Sequence, residues 1–272
     1  MSARRTITGF SNPTVKYARS LRDKKHRKRE GKFLAEGLRL LTDAREGGHV
    51  PELLVMASDR DPHPLLAALE TDVERAGGEI VETSADILAK ITGKDNPQAV
   101  AGVFAEFDTS LAALDRAAAP IWLVAQALRD PGNLGTMLRT GDAVGAGGLI
   151  LLDDSADPFS VEAVRASMGA VFTQTIAAAR WDEFLPWLRG GPKGQQGQLV
   201  AASLRDALPY REASYAAPCF ILVGNESRGL PEDYEAACDL RVTMPMKGRA
   251  DSLNAAVAAA VLAYEVLARL EA

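Results

Sequence analysis

Four short apolar runs in the second half of the chain constrain its fold more than any other feature: IWLVA (121–125), GLILL (148–152), QLVAA (198–202) and CFILV (219–223). None alternates polar with apolar residues, so each is expected to be a strand buried on both faces, as in a parallel sheet covered by helices. Helical stretches fall between them, at about 134–144, 160–169 and 181–189. Strand, helix, strand is the parallel crossover unit, and the class is α/β. TIAAA and LRVTM (240–244) add two strands, and a long Ala-rich helix closes the chain.

A smaller α/β unit precedes this one. The turn-like SNP leads into a basic amphipathic helix from Asn12 to about Arg29, and a second helix is expected from Phe33 to about Glu46, ending at Gly47-Gly48. Strands are expected at ELLVM (52–56), EIVE and AVAGVFAEF (99–107), with helices near 64–76 and 87–91. The segment DTSLAALDRAAAP then reads as a connector. The expected domains are residues 1–108 and 120–272, joined by a linker at 109–119. GGPKGQQG (190–197) looks like a mobile loop.

Charge is distributed unevenly. Residues 1–50 hold 13 Lys or Arg against 5 Asp or Glu, and the other residues hold 18 against 31, so a head of +8 is joined to a body of −13. Arg22, Lys24, Lys25, Arg27, Lys28, Arg29 and Lys32 crowd into eleven residues. Such density repels itself unless an anion is near, and a polyanion is the natural partner; a solvated helix face is the alternative. No apolar run is long enough to cross a membrane, and MSARRTITGF lacks the apolar core of a secretory signal, so a cytoplasmic protein is expected. Cys219 and Cys238 offer no disulfide framework or metal spacing, and His26, His49 and His63 are scattered, so no metal is expected. The phosphate-binding GxxxxGK[ST], the dinucleotide GxGxxG and the nucleophile GxSxG are all missing.

In a parallel sheet, ligands bind beyond the carboxyl ends of the strands. RDPGNLGTMLRTGDAVGAGG follows the strand at 121–125 and carries Asn133 and Arg139, with Asn133 either a helix cap or a functional amide. ILVGNESRGLP leaves the strand at 219–223 through Gly224 into Asn225, Glu226, Ser227 and Arg228, polar groups that are expensive to bury beside a strand end unless they bind or pair. Glu226 suits a partner for an arginine, Arg139 or Arg228. The last segment, VTMPMKGRADSLNAAVAAAVLAYEVLARL, offers Asp251 or Ser252 as N-cap and places Asn254 in an otherwise apolar helix.

These three segments together resemble the SpoU/TrmH family of the SPOUT superfamily, RNA ribose 2′-O-methyltransferases that use S-adenosylmethionine. NLGTMLRTGDAVGA, FILVGNESRGLP and MPMKGRADSLNAAVAAAVLAYE are similar to the family's three motifs in their order, and VRASMGAVF (164–172) to a further segment. Residues 1–108, with KFLAEGLRLL and ITGKDNPQAVAGVF, resemble the L30e-like substrate-binding domain of many members. The resemblance implies a C-terminal SPOUT domain with a parallel sheet and a deep trefoil knot that forms the cofactor pocket, an exception to the general absence of knots. It implies that Gly224, Met244 and Leu253 bind S-adenosylmethionine, and that Asn133, Arg139, Glu226, Ser252 and Asn254 are the catalytic polar positions. Met244 stands where Ile is common, and Gly141 and Val144 replace commoner Ala and Phe. It further implies a homodimer acting on RNA, ribosomal RNA in the first place with transfer RNA as the alternative, and with the basic head on its phosphates. A catalytically idle RNA-binding assembly protein on the same fold is the competing reading, which the intact motif residues oppose.

Overall fold

The computed structural model describes residues 4–190, 196–225 and 227–272. It divides into two compact units, one of residues 1–107 with 157–173, the other of residues 108–156 with 174–272. Most of GGPKGQQG, and Glu226, lie outside the described residues.

The first unit begins with strand β1 (Arg4–Ile7), helices α1 (Pro13–Ser20) and α2 (Lys24–Glu30), strand β2 (Lys32–Glu36) and helix α3 (Leu38–Glu46). Strand β3 (Leu53–Ala57), helix α4 (Pro64–Arg75), strand β4 (Glu79–Thr83), helix α5 (Ala85–Thr92) and strand β5 (Val100–Ala105) follow. Their sheet runs β1-β4-β3-β5-β2, with β5 antiparallel to both neighbours. Two expectations are corrected here. The basic helix breaks at Asp23, whose carboxylate accepts from the Lys25 amide and starts α2 as a separate helix. The helix expected from Phe33 is a strand up to Glu36. KFLAE pairs along its length with β5, and Gly37, at φ 109°, turns the chain into α3 where an L side chain would be strained.

The second unit contributes strand β6 (Ile121–Gln126), helix α6 (Pro131–Ala143) and strand β7 (Gly148–Leu152). The chain then forms helices α7 (Val161–Ala166) and α8 (Ala170–Thr173). By sequence continuity this stretch belongs to 120–272, but it packs with the first unit. Phe159 lies 5.0 Å from Phe33 and Phe172 lies 4.9 Å from Phe104, ring centre to ring centre, and α7 rests on β2.

The second unit resumes with strand β8 (Thr175–Ala179), helix α9 (Trp181–Arg189), strand β9 (Gln198–Ala202), strand β10 (Leu208–Pro209) and strand β11 (Cys219–Val223). Helix α10 (Glu232–Ala236), strand β12 (Leu240–Thr243) and helix α11 (Ala255–Leu270) complete it. All seven strands pair in parallel in the order β10-β12-β9-β11-β6-β7-β8. β6, β7 and β11 are buried at every position, as their continuous apolar sequences require. Trp122 stacks on Phe220 at 5.8 Å, at the centre of a core that also holds Phe184 and Leu222.

Candidate functional site

Because β9, β11, β6 and β12 are parallel neighbours, the segments leaving their carboxyl ends emerge along one edge of the sheet. There they wall a cleft of about 350 Å³. β11 contributes Val223 and Gly224, and then Asn225 and Ser227 to Leu230. The loop is tied by Asn225, whose amide donates to the Ala127 carbonyl at 2.9 Å while its oxygen accepts from the Ser227 and Arg228 amides. Gly224 passes so close to the returning loop that a Cβ there would lie 2.5 Å from the Gly229 carbonyl carbon and 2.6 Å from the Leu230 nitrogen. The passage from Val242 to Met244, with Met246, forms another wall, and Ser252, Leu253, Ala255 and Ala258 a third. Gly224, Met244, Leu253 and Ser252, four of the residues singled out from sequence, thus share one cleft.

Asn133 and Asn254 meet beside it. Asn254 follows the cleft-lining Leu253, and its Nδ2 donates to Asn133 Oδ1 at 3.0 Å. Two assignments are corrected here. The cap of α6 is Asp130, whose carboxylate accepts from the Asn133 amide at 2.8 Å, so the Asn133 side chain is not the cap. The cap of α11 is Asn254 itself, accepting from the Ala256 and Val257 amides, and not Asp251 or Ser252. Asn254 therefore sits exposed at the helix entrance, where its oxygen satisfies the helix and its NH₂ is left for a neighbour. The Ser252 hydroxyl donates to Asp251 at 3.2 Å. Arg139 lies further along α6, exposed, with no ion pair among the described residues, and it is not part of the cleft wall. Glu226 lies outside the described residues.

A second group of residues lines this cleft without any signal in the sequence. Ser203 and Arg205, after β9, and Glu235, on α10, are part of its wall. Glu235 is 6% exposed and accepts the Ser203 hydroxyl at 2.7 Å.

The seven cations of the basic head have different fates in the first unit. Arg27 is 2% exposed: its guanidinium pairs with Asp157 at 2.7 Å and donates to the Leu21 and Arg22 carbonyls, each at 2.8 Å. It is a structural cation, turned inward and unavailable to a phosphate. Lys32 pairs with Glu52, and Arg29 with Glu30. Arg22, Lys24, Lys25 and Lys28 are exposed and without ion pairs among the described residues. Sequence reading missed their allies. Lys16 and Arg19 of α1, Arg22, and Lys90 and Lys94 at the end of α5 line one groove of about 1070 Å³, together with Asp23, Asp86 and Asp95. None of these five cations has a carboxylate partner among the described residues.

Burial pushes the thiols of Cys219 and Cys238 up to about 12, so neither forms a thiolate at neutral pH. Among the described residues no group of His, Cys, Asp or Glu could hold a metal ion, and no helix is long and apolar enough to cross a membrane.

Residues 120–264 match the SpoU rRNA Methylase family, and residues 12–102 match the MRM3-like substrate binding domain. The 23S rRNA (guanosine(2553)-2′-O)-methyltransferase RlmP of Bacillus subtilis is 31% identical, over 96% of this chain and 98% of its own. The AdoMet-bound rRNA methyltransferase of Sinorhizobium meliloti superposes with a TM-score of 0.90 at 36% identity, covering 98% of each chain. AviRb from Streptomyces viridochromogenes, a SpoU methyltransferase solved in complex with AdoMet, superposes at 0.84 with 27% identity over 96% of this chain and 98% of that one.

Proposed function

Because the chain belongs to the SpoU rRNA methylase family, we propose that it transfers the methyl group of S-adenosylmethionine to a ribose 2′-hydroxyl of ribosomal RNA. The observation that carries this reading is the meeting of the three motifs at one place. Gly224, Met244, Ser252 and Leu253 line a common cleft, and Asn254 joins the third motif to Asn133 of the first.

The cleft suits the cofactor. Its apolar walls, Val223, Leu230, Val242 and Leu253, can cover a purine. The near approach of Gly224 to Gly229 keeps backbone groups where a side chain would fill the space. When bound, S-adenosylmethionine supplies a sulfonium methyl to an oxygen that attacks in line. The protein's share is positioning and charge. A ribose hydroxyl is a weak acid, and a guanidinium keeps its proton, so Arg139 acts as an electrostatic stabiliser and phosphate orienter rather than as the base. Asn133, Ser252 and Asn254 align the nucleotide. Holding the reacting oxygen on the methyl axis removes much of the orientational part of the barrier.

RNA is drawn to the first unit by Arg22, Lys24, Lys25 and Lys28 together with the groove cations Lys16, Arg19, Lys90 and Lys94. Affinity therefore falls steeply with salt. Two further parts of the proposal concern assembly. Threading of the C-terminal part through a loop, which the resemblance implies, is one of them. A homodimer is supported by α11, whose Val257 and Tyr264 are 47% and 54% exposed on the side that Val261 continues.

Mapping ribose methylation across total RNA with and without the protein tests the reaction and names its site. Titration calorimetry with S-adenosylmethionine tests the cofactor; no binding would instead support the idle RNA-binding protein. Arg139→Ala is expected to lower turnover by at least about a hundredfold with cofactor affinity kept. Near-normal turnover would remove this mechanism.

A further inference from the structure

The stretch of cleft wall formed by Ser203, Arg205 and Glu235 has no part in the transfer chemistry, yet it holds a carboxylate that is 6% exposed. Resting on the cofactor reading above, we infer that Glu235 is the acceptor that binds the ribose hydroxyls of the methyl donor's nucleoside, with Ser203 and Arg205 as its positioning residues. Burying a carboxylate in a cleft that Val223, Leu230 and Val242 also line is costly unless its oxygens are matched by donors. In the protein they are matched only in part. Oε1 accepts the Ser203 hydroxyl at 2.7 Å. Oε2 has the Arg205 guanidinium at 3.5 Å, and that group is 53% exposed and shared with Glu232 at 3.0 Å. An ionised carboxylate offers about four lone-pair sites, so acceptor capacity remains on the cleft wall.

Ser203 by itself cannot accept from both hydroxyls. Its single proton goes to Glu235 and one of its two lone pairs accepts from the Arg205 amide at 3.0 Å, so it keeps at most one acceptor site against the two hydroxyls of a ribose, and it serves to fix the carboxylate. The remaining need is for neutral donors in an otherwise apolar surrounding. The two adjacent hydroxyls of a ribose meet that need, because each can donate to the carboxylate. The donor's ammonium, by contrast, is strongly hydrated and travels with its own carboxylate.

Calorimetry on the full chain with S-adenosylmethionine and with 5′-methylthioadenosine, which lacks the amino acid, tests the inference. Glu235→Gln is expected to weaken both ligands by about tenfold or more, and in the same ratio. Ser203→Ala, which leaves the carboxylate but frees it to rotate, is expected to weaken both by a smaller factor; it also serves if thermal melting shows that Glu235→Gln does not fold. Unchanged affinities would overturn the inference by making the cluster purely structural. Loss confined to S-adenosylmethionine, or a wild-type protein that binds S-adenosylmethionine but not the nucleoside, would overturn it by moving recognition to the amino-acid half. A wild-type protein that binds neither ligand would sink the cofactor reading itself, a result distinct from all of these.

Discussion

Asn254 serves two neighbours with the two ends of one amide, and they can be separated. Its oxygen caps α11, and its nitrogen donates to Asn133. Asn254→Ala loses both, and is expected to cost about 1 kcal/mol of stability through the cap as well as turnover. Asn254→Asp keeps an acceptor at the helix entrance, where a negative charge is favourable, but sets oxygen against Asn133 Oδ1. Its stability to denaturant should match the wild type while turnover drops; full activity in this variant would show that the amide pair does not align the nucleotide. Gly224 makes a different kind of demand, since the atoms 2.5 and 2.6 Å from where a Cβ would stand are main-chain atoms that cannot swing aside. Gly224→Ala should therefore push Gly229 and Leu230 outward and weaken S-adenosylmethionine by at least about tenfold in calorimetry. Undiminished affinity would mean that the ligand does not use this wall.

Helix α2 shows how one element can carry both a structural charge and a binding charge. Arg27 faces inward to Asp157, with side-chain exposures of 3% and 13%, so Arg27→Ala strands a largely buried carboxylate and should cost about 3 kcal/mol or more by chemical denaturation. Lys28, one position on, faces solvent. Lys28→Ala should leave stability within about 0.5 kcal/mol but lower the salt slope of RNA binding by about one, and an unchanged slope would take α2 off the RNA path. Counting charges along the sequence could not separate the two, because only the packed helix gives each residue a side. The same limit governs what else was legible. The strands of the second unit stood out because burial on both faces writes a continuous apolar run, and the three motifs because their polar residues cluster beside those runs. KFLAE looked helical because its apolar residues merge with those of α3, and only pairing with β5 reveals a strand. Glu235 sits among the other acids of PEDYEAACD and resembles a solvated helix face until Ser203, 32 residues earlier, closes on it. The groove cations come from α1 and α5, which are far apart in the chain, so no local window contains them.

At the scale of the whole molecule, Arg139 raises a question of stoichiometry. It is exposed and unpaired among the described residues, and it is absent from the wall of the cleft it is proposed to serve. α6, which carries it, packs against α11, whose exposed Val257 and Tyr264 leave apolar surface for a second copy. A two-fold contact through this face would set the arginine of one protomer near the cleft of the other, since such contacts are reciprocal. Mixing two impaired proteins, at an S-adenosylmethionine concentration too low to fill the Gly224→Ala cleft, decides the matter. Arg139→Ala keeps a sound cleft, and Gly224→Ala keeps a sound arginine. If each arginine serves the partner, a hybrid dimer regains one working site of its two. Random exchange makes half the dimers hybrid, so the mixture should recover about a quarter of wild-type turnover. If each arginine serves its own cleft, every site in the hybrid lacks one component and the mixture stays as inactive as its parts. Exchange is verified by tagging one variant and capturing the other with it. Adding Tyr264→Glu to both chains, which places a charge in the apolar contact, should abolish both the capture and the recovered activity. Recovery that survives this change would mean that the copies meet elsewhere.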